Sequence, residues 1–227
     1  MTITSGLKRA GLALVLCIAI YAPAFATLAW LHHQHLLCAL GHKPLCPSIQ
    51  AAIVLITAIS AGVAALLVLV FARRPRGVAE FGVAGSRISH LVVALLVGGV
   101  GGGLAAYFSA RYPGSSPLEL SQLSPTFRYV CFLLAAPIQE ELIFRGVLQT
   151  MIARAVAETK AFWPAHFPVI FVALLFGILH LGSGLVVAAG ALLLGLIAGE
   201  LRRISGSLLP AIIVHALFNA MSFWLAP

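Results

Sequence analysis

Seven apolar stretches occupy most of the chain, near residues 10–31, 49–72, 90–109, 127–153, 167–181, 185–201 and 208–225. A bilayer core is about 30 Å thick, and a helix rising about 1.5 Å per residue needs roughly 20 mostly apolar residues to cross it. Most of the stretches reach or approach that length; the fifth is short, and its ends are the least defined. A soluble domain carries about 25% charged residues, whereas only 9% of these 227 residues are charged and 61% are hydrophobic. That excludes a soluble fold, and it excludes intrinsic disorder, which needs low hydrophobicity and high charge. The expected fold is all-α: a polytopic integral membrane helix bundle of about seven transmembrane helices. Its length predicts one compact domain, with helices one to three in residues 1–126 and four helices in 127–227.

Charge between the stretches predicts orientation, because cytoplasmic loops are enriched in Lys and Arg. With the N-terminus inside, ten of the fourteen basic residues fall on the cytoplasmic side: Lys8, Arg9, Arg73, Arg74, Arg76, Arg87, Arg154, Lys160, Arg202 and Arg203. Outside fall Lys43, Arg111 and Arg128, and Arg145 lies within a span. The N-terminus is therefore expected inside and the C-terminus outside, as in a bacterial inner (plasma) membrane protein. The net charge of +8 is accounted for by anionic headgroups, which leaves no basic patch for nucleic acid.

The first stretch has two readings. Lys8 and Arg9, the apolar run after them and Ala24-Phe25-Ala26 resemble a cleavable signal peptide; apolarity continuing through Trp30 and Leu31 favours an uncleaved helix. Cys38 and Cys46 lie in the first outside loop, where they form a disulfide or remain two thiols. Cys17 and Cys131 read as small apolar filler. Gly99 and Gly103, and Gly195 and Gly199, have the GxxxG spacing that lets helix backbones approach in lipid. No internal repeat of the transporter kind is present.

Ionisable side chains within a span are costly, about 2.5–3.5 kcal/mol at mid-helix, and usually mark a site. The C-terminal half carries three such groups: Glu140-Glu141 with Arg145, Phe176 with His180, and His215 with Asn219. Residues four apart share a helix face, so Glu141 and Arg145 pair, and Glu140, turned about 100° away, is free for chemistry. Asn219 lies one turn after His215. A carboxylate and an imidazole able to activate water, beside a second imidazole and an amide able to stabilise an oxyanion, form a hydrolytic set that needs no Ser or Cys nucleophile. The plainer alternative is that these groups tie helices together by buried hydrogen bonds. In depth, Glu140 lies about 20 Å below an entry near Phe127 and His215 about 10 Å above the opposite boundary. Those depths agree. His180 falls nearer mid-membrane, which a tilted or earlier-starting fifth helix would correct. Pro137 is expected to kink the fourth helix and free a carbonyl near Glu140.

The succession EExxxR, FxxxH and HxxxN on successive membrane helices resembles the CPBP family of intramembrane proteases, which includes the type II CAAX prenyl endopeptidases and abortive-infection-like proteins. Gly146 after Arg145, and Gly206-Ser207-Leu208-Leu209-Pro210 ahead of His215, extend the likeness over roughly 130–222. The resemblance implies a glutamate-dependent endopeptidase in which Glu140 and His180 activate water, His215 and Asn219 hold the oxyanion, and Glu141 and Arg145 support them. It implies no cofactor. A zinc site of Glu and His is the considered alternative, with HExxH absent and no Asp in the chain. The implied substrate is a membrane protein or lipid-modified peptide. Two other functions fit an intramembrane Glu and His: a transporter or proton relay, and a non-catalytic immunity or scaffold protein on the same fold.

Overall fold

The computed structural model describes residues 11, 15–27, 46–72, 77–112, 123–157 and 166–225. Among these residues lie seven helices and no strand: α1 (Val15–Thr27), α2 (Cys46–Phe71), α3 (Ile88–Arg111), α4 (residues 125–157), α5 (Phe167–Leu179), α6 (Leu185–Ser205) and α7 (Leu209–Leu225). They coincide with the seven apolar stretches. The Cys38–Cys46 question and the basic residues Lys8, Arg9, Lys43, Arg73, Arg74, Arg76 and Lys160 lie outside the described residues.

The bundle is apolar on its outside and polar in places within. Leu66, Leu69 and Val70 of α2 and Leu95, Leu96, Val100 and Leu104 of α3 are more than half exposed, while Glu141, Arg145, Gln139 and His215 are buried. Exposed apolar faces of that extent belong against lipid. Gln50–Phe71, α3 and α6 are each long and apolar enough to cross a membrane; α1, α5 and α7 are shorter apolar helices. The protein is a helical membrane bundle. Its helix α1 buries Leu16, Cys17, Ile20 and Ala24.

Helix α4 is a single run with two changes of register. Ser124 caps it, its Oγ accepting from the Phe127 N–H at 3.2 Å, and Pro125 occupies the first turn, where its missing N–H costs nothing. Cys131–Ala135 and Leu142–Leu148 are π-turns on either side of Ala136–Glu141. The Ala136 N–H bonds the Cys131 carbonyl five residues back. In that register the next donor would be residue 137, a proline with no N–H, so the Phe132 carbonyl loses its helical partner. Such interruptions concentrate at functional sites, and here they bracket Glu140 and Glu141.

Glycines set the approach of the other helices. On α3, a Cβ at Gly102 would stand 2.9 Å from Phe218 Cα, and one at Gly98 would stand 3.1 Å from Val214 Cα. These are backbone contacts with α7, the helix that carries His215 and Asn219. The spacing Gly99–Gly103 is not the packing pair that the sequence predicts: a Cβ at either position meets nothing within 4 Å. The face turned to α7 is Gly98, Gly101 and Gly102, and residues one position on are rotated about 100° off it. Gly195 and Gly199 do pack closely: a Cβ at Gly195 would stand 2.9 Å from Ala173 Cα, and one at Gly199 2.9 Å from Val169 Cγ1. Gly102→Ala is therefore expected to destabilise the protein by about 1–3 kcal/mol through overpacking. Gly99→Ala and Gly103→Ala should be neutral or slightly stabilising; thermal unfolding in one detergent compares the three.

Candidate active site

The polar chain begins on α4. Arg145 Nε lies 3.2 Å from Glu141 Oε2, one helical turn back, and both side chains are fully buried. The other Glu141 oxygen, Oε1, accepts from His215 Nδ1 of α7 at 2.8 Å. That bond fixes the imidazole with Nε2 turned toward Glu140, whose Oε2 stands 3.8 Å away. Glu141 thus fixes the orientation of the His215 ring. Glu140 is the more open of the two acids, 23% exposed against 0% for Glu141. The Glu141–Arg145 pair expected from the helix face is present, while Glu140 is partly exposed overall with its Oε2 buried beside the imidazole.

His180 is the C-cap of α5 rather than a mid-helix residue, and the chain turns there into the short 3-10 segment Leu181–Ser183. Helix α5 begins at Phe167, where the sequence puts it, so no earlier start adjusts the depth of His180. Its Nδ1 donates to the Phe176 carbonyl at 2.8 Å, which leaves Nε2 as the open nitrogen of a half-buried ring. Among the described residues no hydrogen bond or ion pair joins His180 to Glu140. What connects the groups is Phe176. Its ring lies 4.5 Å from that of His180 and 5.9 Å edge-on to that of His215, and the Arg145 guanidinium sits over it at 4.8 Å. A desolvated cation over an aromatic face gains about 2 kcal/mol, so Phe176 holds three of the polar groups in place.

Asn219 lies one turn beyond His215, and its Nδ2 donates to the Phe132 carbonyl at 2.7 Å. The carbonyl that Pro137 leaves without a helical donor is that of Phe132, about two turns before Glu140 rather than beside it, and a side chain of α7 takes it up. This bond positions the amide and uses one of its two N–H groups.

Four contributors, Phe176, Gln139, Ser60 and Tyr21, were not identified from the sequence. Phe176 stood only as a motif letter. Gln139, next to Glu140, donates to Ser60 Oγ of α2 at 2.9 Å and to Tyr21 Oη of α1 at 3.3 Å, so the N-terminal helices hold this stretch of α4 although they carry no motif. The only available signal was a lone Ser and a lone Tyr within apolar runs, and such residues are common in membrane helices.

Fold and site together define a membrane-embedded helical bundle built around a buried guanidinium–carboxylate–imidazole chain with an open carboxylate at its end. Residues 122–221 match the family model described as Rce1-like, type II CAAX prenyl endopeptidase. The match covers α4 to α7 and all three motifs, and it is consistent with the CPBP family that those motifs resemble. No curated protein and no solved structure matches the chain.

Proposed function

We propose that the protein is an intramembrane endopeptidase that hydrolyses a peptide bond in a membrane-associated or lipid-modified protein, with residues 127–227 as its catalytic core. The observation that carries this reading is the chain Arg145–Glu141–His215, which ends 3.8 Å from the partly open Glu140. That separation is too long for a direct hydrogen bond, and a water lying beside the two atoms reaches both. Glu140 takes the proton of this water, with the open nitrogen of His180 assisting, as the hydroxide adds to the peptide carbonyl. In this role His215 is the imidazolium, with Nδ1–H on Glu141 and a second proton on Nε2, and that Nε2–H and the second N–H of Asn219 receive the oxyanion. The proton held by Glu140 then passes to the leaving amine. The site works without a metal in this reading, in a bacterial inner membrane with the N-terminus cytoplasmic.

Two results test the mechanism. His180→Ala is expected to slow cleavage of a lipid-modified peptide by about 10²–10⁴-fold, the usual contribution of a positioned acid–base group, with helical content unchanged. Wild-type protein shown by elemental analysis to be metal-free is expected to keep its activity in strong chelator. Activity lost to the chelator and restored by zinc alone would replace the glutamate–water reading with a zinc site.

A further inference from the structure

A cavity of about 340 Å³ lies apart from the Glu140–His215 pair, between the C-terminal halves of α4 and α6. Four guanidinium groups line it, from Arg145, Arg154, Arg202 and Arg203, and one carboxylate, Glu80. Two of the four are matched at surface carboxylates. Arg154 holds both Glu80 oxygens at 2.7 Å, and Arg203 Nε bonds Glu200 at 2.9 Å. Arg145 is matched by Glu141, yet its Nη1 and Nη2 have no hydrogen-bond acceptor although the side chain is fully buried. Arg202, only 9% exposed, has no carboxylate partner among the described residues; its Nη2 donates to the Glu80 carbonyl at 2.7 Å and its Nε is unpartnered. Buried donors without acceptors cost free energy, and an anion within the cavity would supply the acceptors and balance the guanidinium that is unmatched among the described residues.

We propose that this cavity binds the phosphate of an anionic phospholipid headgroup. The cavity lies at an end of membrane helices, where basic pockets between spans take such headgroups. Arg203, 37% exposed, stands at the rim, while Arg145 and Arg202 are buried in its wall. At the same end of the bundle, Ile204 of α6 and Leu209 at the start of α7 are 50% and 43% exposed, apolar surface for acyl chains. A single phosphodiester charge matches the one excess guanidinium among the described residues. A choline headgroup would bring a second cation against Arg203, so the site discriminates between headgroups and not merely for phosphate. In the orientation expected from loop charge, this is the cytoplasmic end. The cavity shares Arg145 with the Glu141–His215 chain, but the lipid proposal does not require peptidase activity.

The full chain, purified in detergent and stripped of lipid, tests this by native mass spectrometry with phosphatidylglycerol and phosphatidylcholine of the same acyl chains. The expected result is tighter binding of phosphatidylglycerol, reduced about fivefold by Arg202→Gln and by Arg203→Gln, the contribution of one arginine to such an attraction. Arg202 also holds the Glu80 backbone, so Arg203→Gln at the rim carries the test if Arg202→Gln loses helical content. Equal binding of the two lipids, or an unchanged preference in the variants, would overturn the proposal. Occupancy by inorganic phosphate at the same concentrations would make it a free-phosphate site and overturn the lipid assignment. So would occupancy by a peptide with a free C-terminal carboxylate, and not by its amide, without any lipid preference.

Discussion

Glu140→Gln is expected to abolish peptide cleavage, by at least about a hundredfold, while the protein still inserts and unfolds at nearly the wild-type temperature. The two halves of that expectation come from different parts of the geometry. Glutamine keeps the volume of the side chain and a carbonyl acceptor but cannot take a proton from water. Among the described residues Glu140 makes no hydrogen bond that the amide would lose: its Oε2 stands 3.8 Å from His215 Nε2 and, although buried, has no hydrogen-bond partner. A loss of activity that came with a large loss of stability would point instead to Glu140 as a packing residue.

The opposite pattern is expected at Arg145. Arg145→Ala leaves Glu141, fully buried, without its cation, and breaking a buried pair from one side costs about 3–5 kcal/mol. It also removes the group stacked at 4.8 Å over Phe176, so stability and activity should fall together. Arg145→Lys restores the charge but not the flat stack and the fork, and should fall between. Replacing both partners, Glu141→Leu with Arg145→Leu, removes the stranded charge and is expected to recover most of the stability. Cleavage should stay lost, because His215 then has no carboxylate to fix its ring. Unfolding midpoints of the four proteins in one detergent check this, and an Arg145→Ala variant as stable as wild type would contradict it.

The difference between these two variants also shows how far the sequence could be read. The bundle was legible because the need to span lipid with internally bonded backbone leaves little choice, and all seven stretches are helices. The roles of Glu141 and Arg145 followed from a spacing of four, and their separation from Glu140 followed from the angle between adjacent helical residues. Neither inference needs tertiary information. The π-turns around Glu140 do: Pro137 signals a missing donor, but the i to i−5 register and the capture of the Phe132 carbonyl by Asn219 depend on how α7 packs. The same limit explains the glycines. GxxxG spacing names a face of α3, and only the position of α7 decides that the close face is Gly98, Gly101 and Gly102. Phe176 was invisible for a different reason, since an aromatic ring in an apolar run carries no mark of the three polar groups it touches. The support of Gln139 by Ser60 and Tyr21 joins residues more than seventy positions apart, beyond any local pattern.

The most direct test of the central claim is a comparison of protein termini in membranes of cells that differ only in carrying wild-type protein or Glu140→Gln. The account predicts a small set of new C-termini or N-termini in membrane-associated or lipid-modified proteins, present with the wild type and missing with the variant at equal expression. Identical termini in the two, together with a pH-dependent flux through the wild-type protein in proteoliposomes, would contradict it and make the buried carboxylates and imidazoles a proton path.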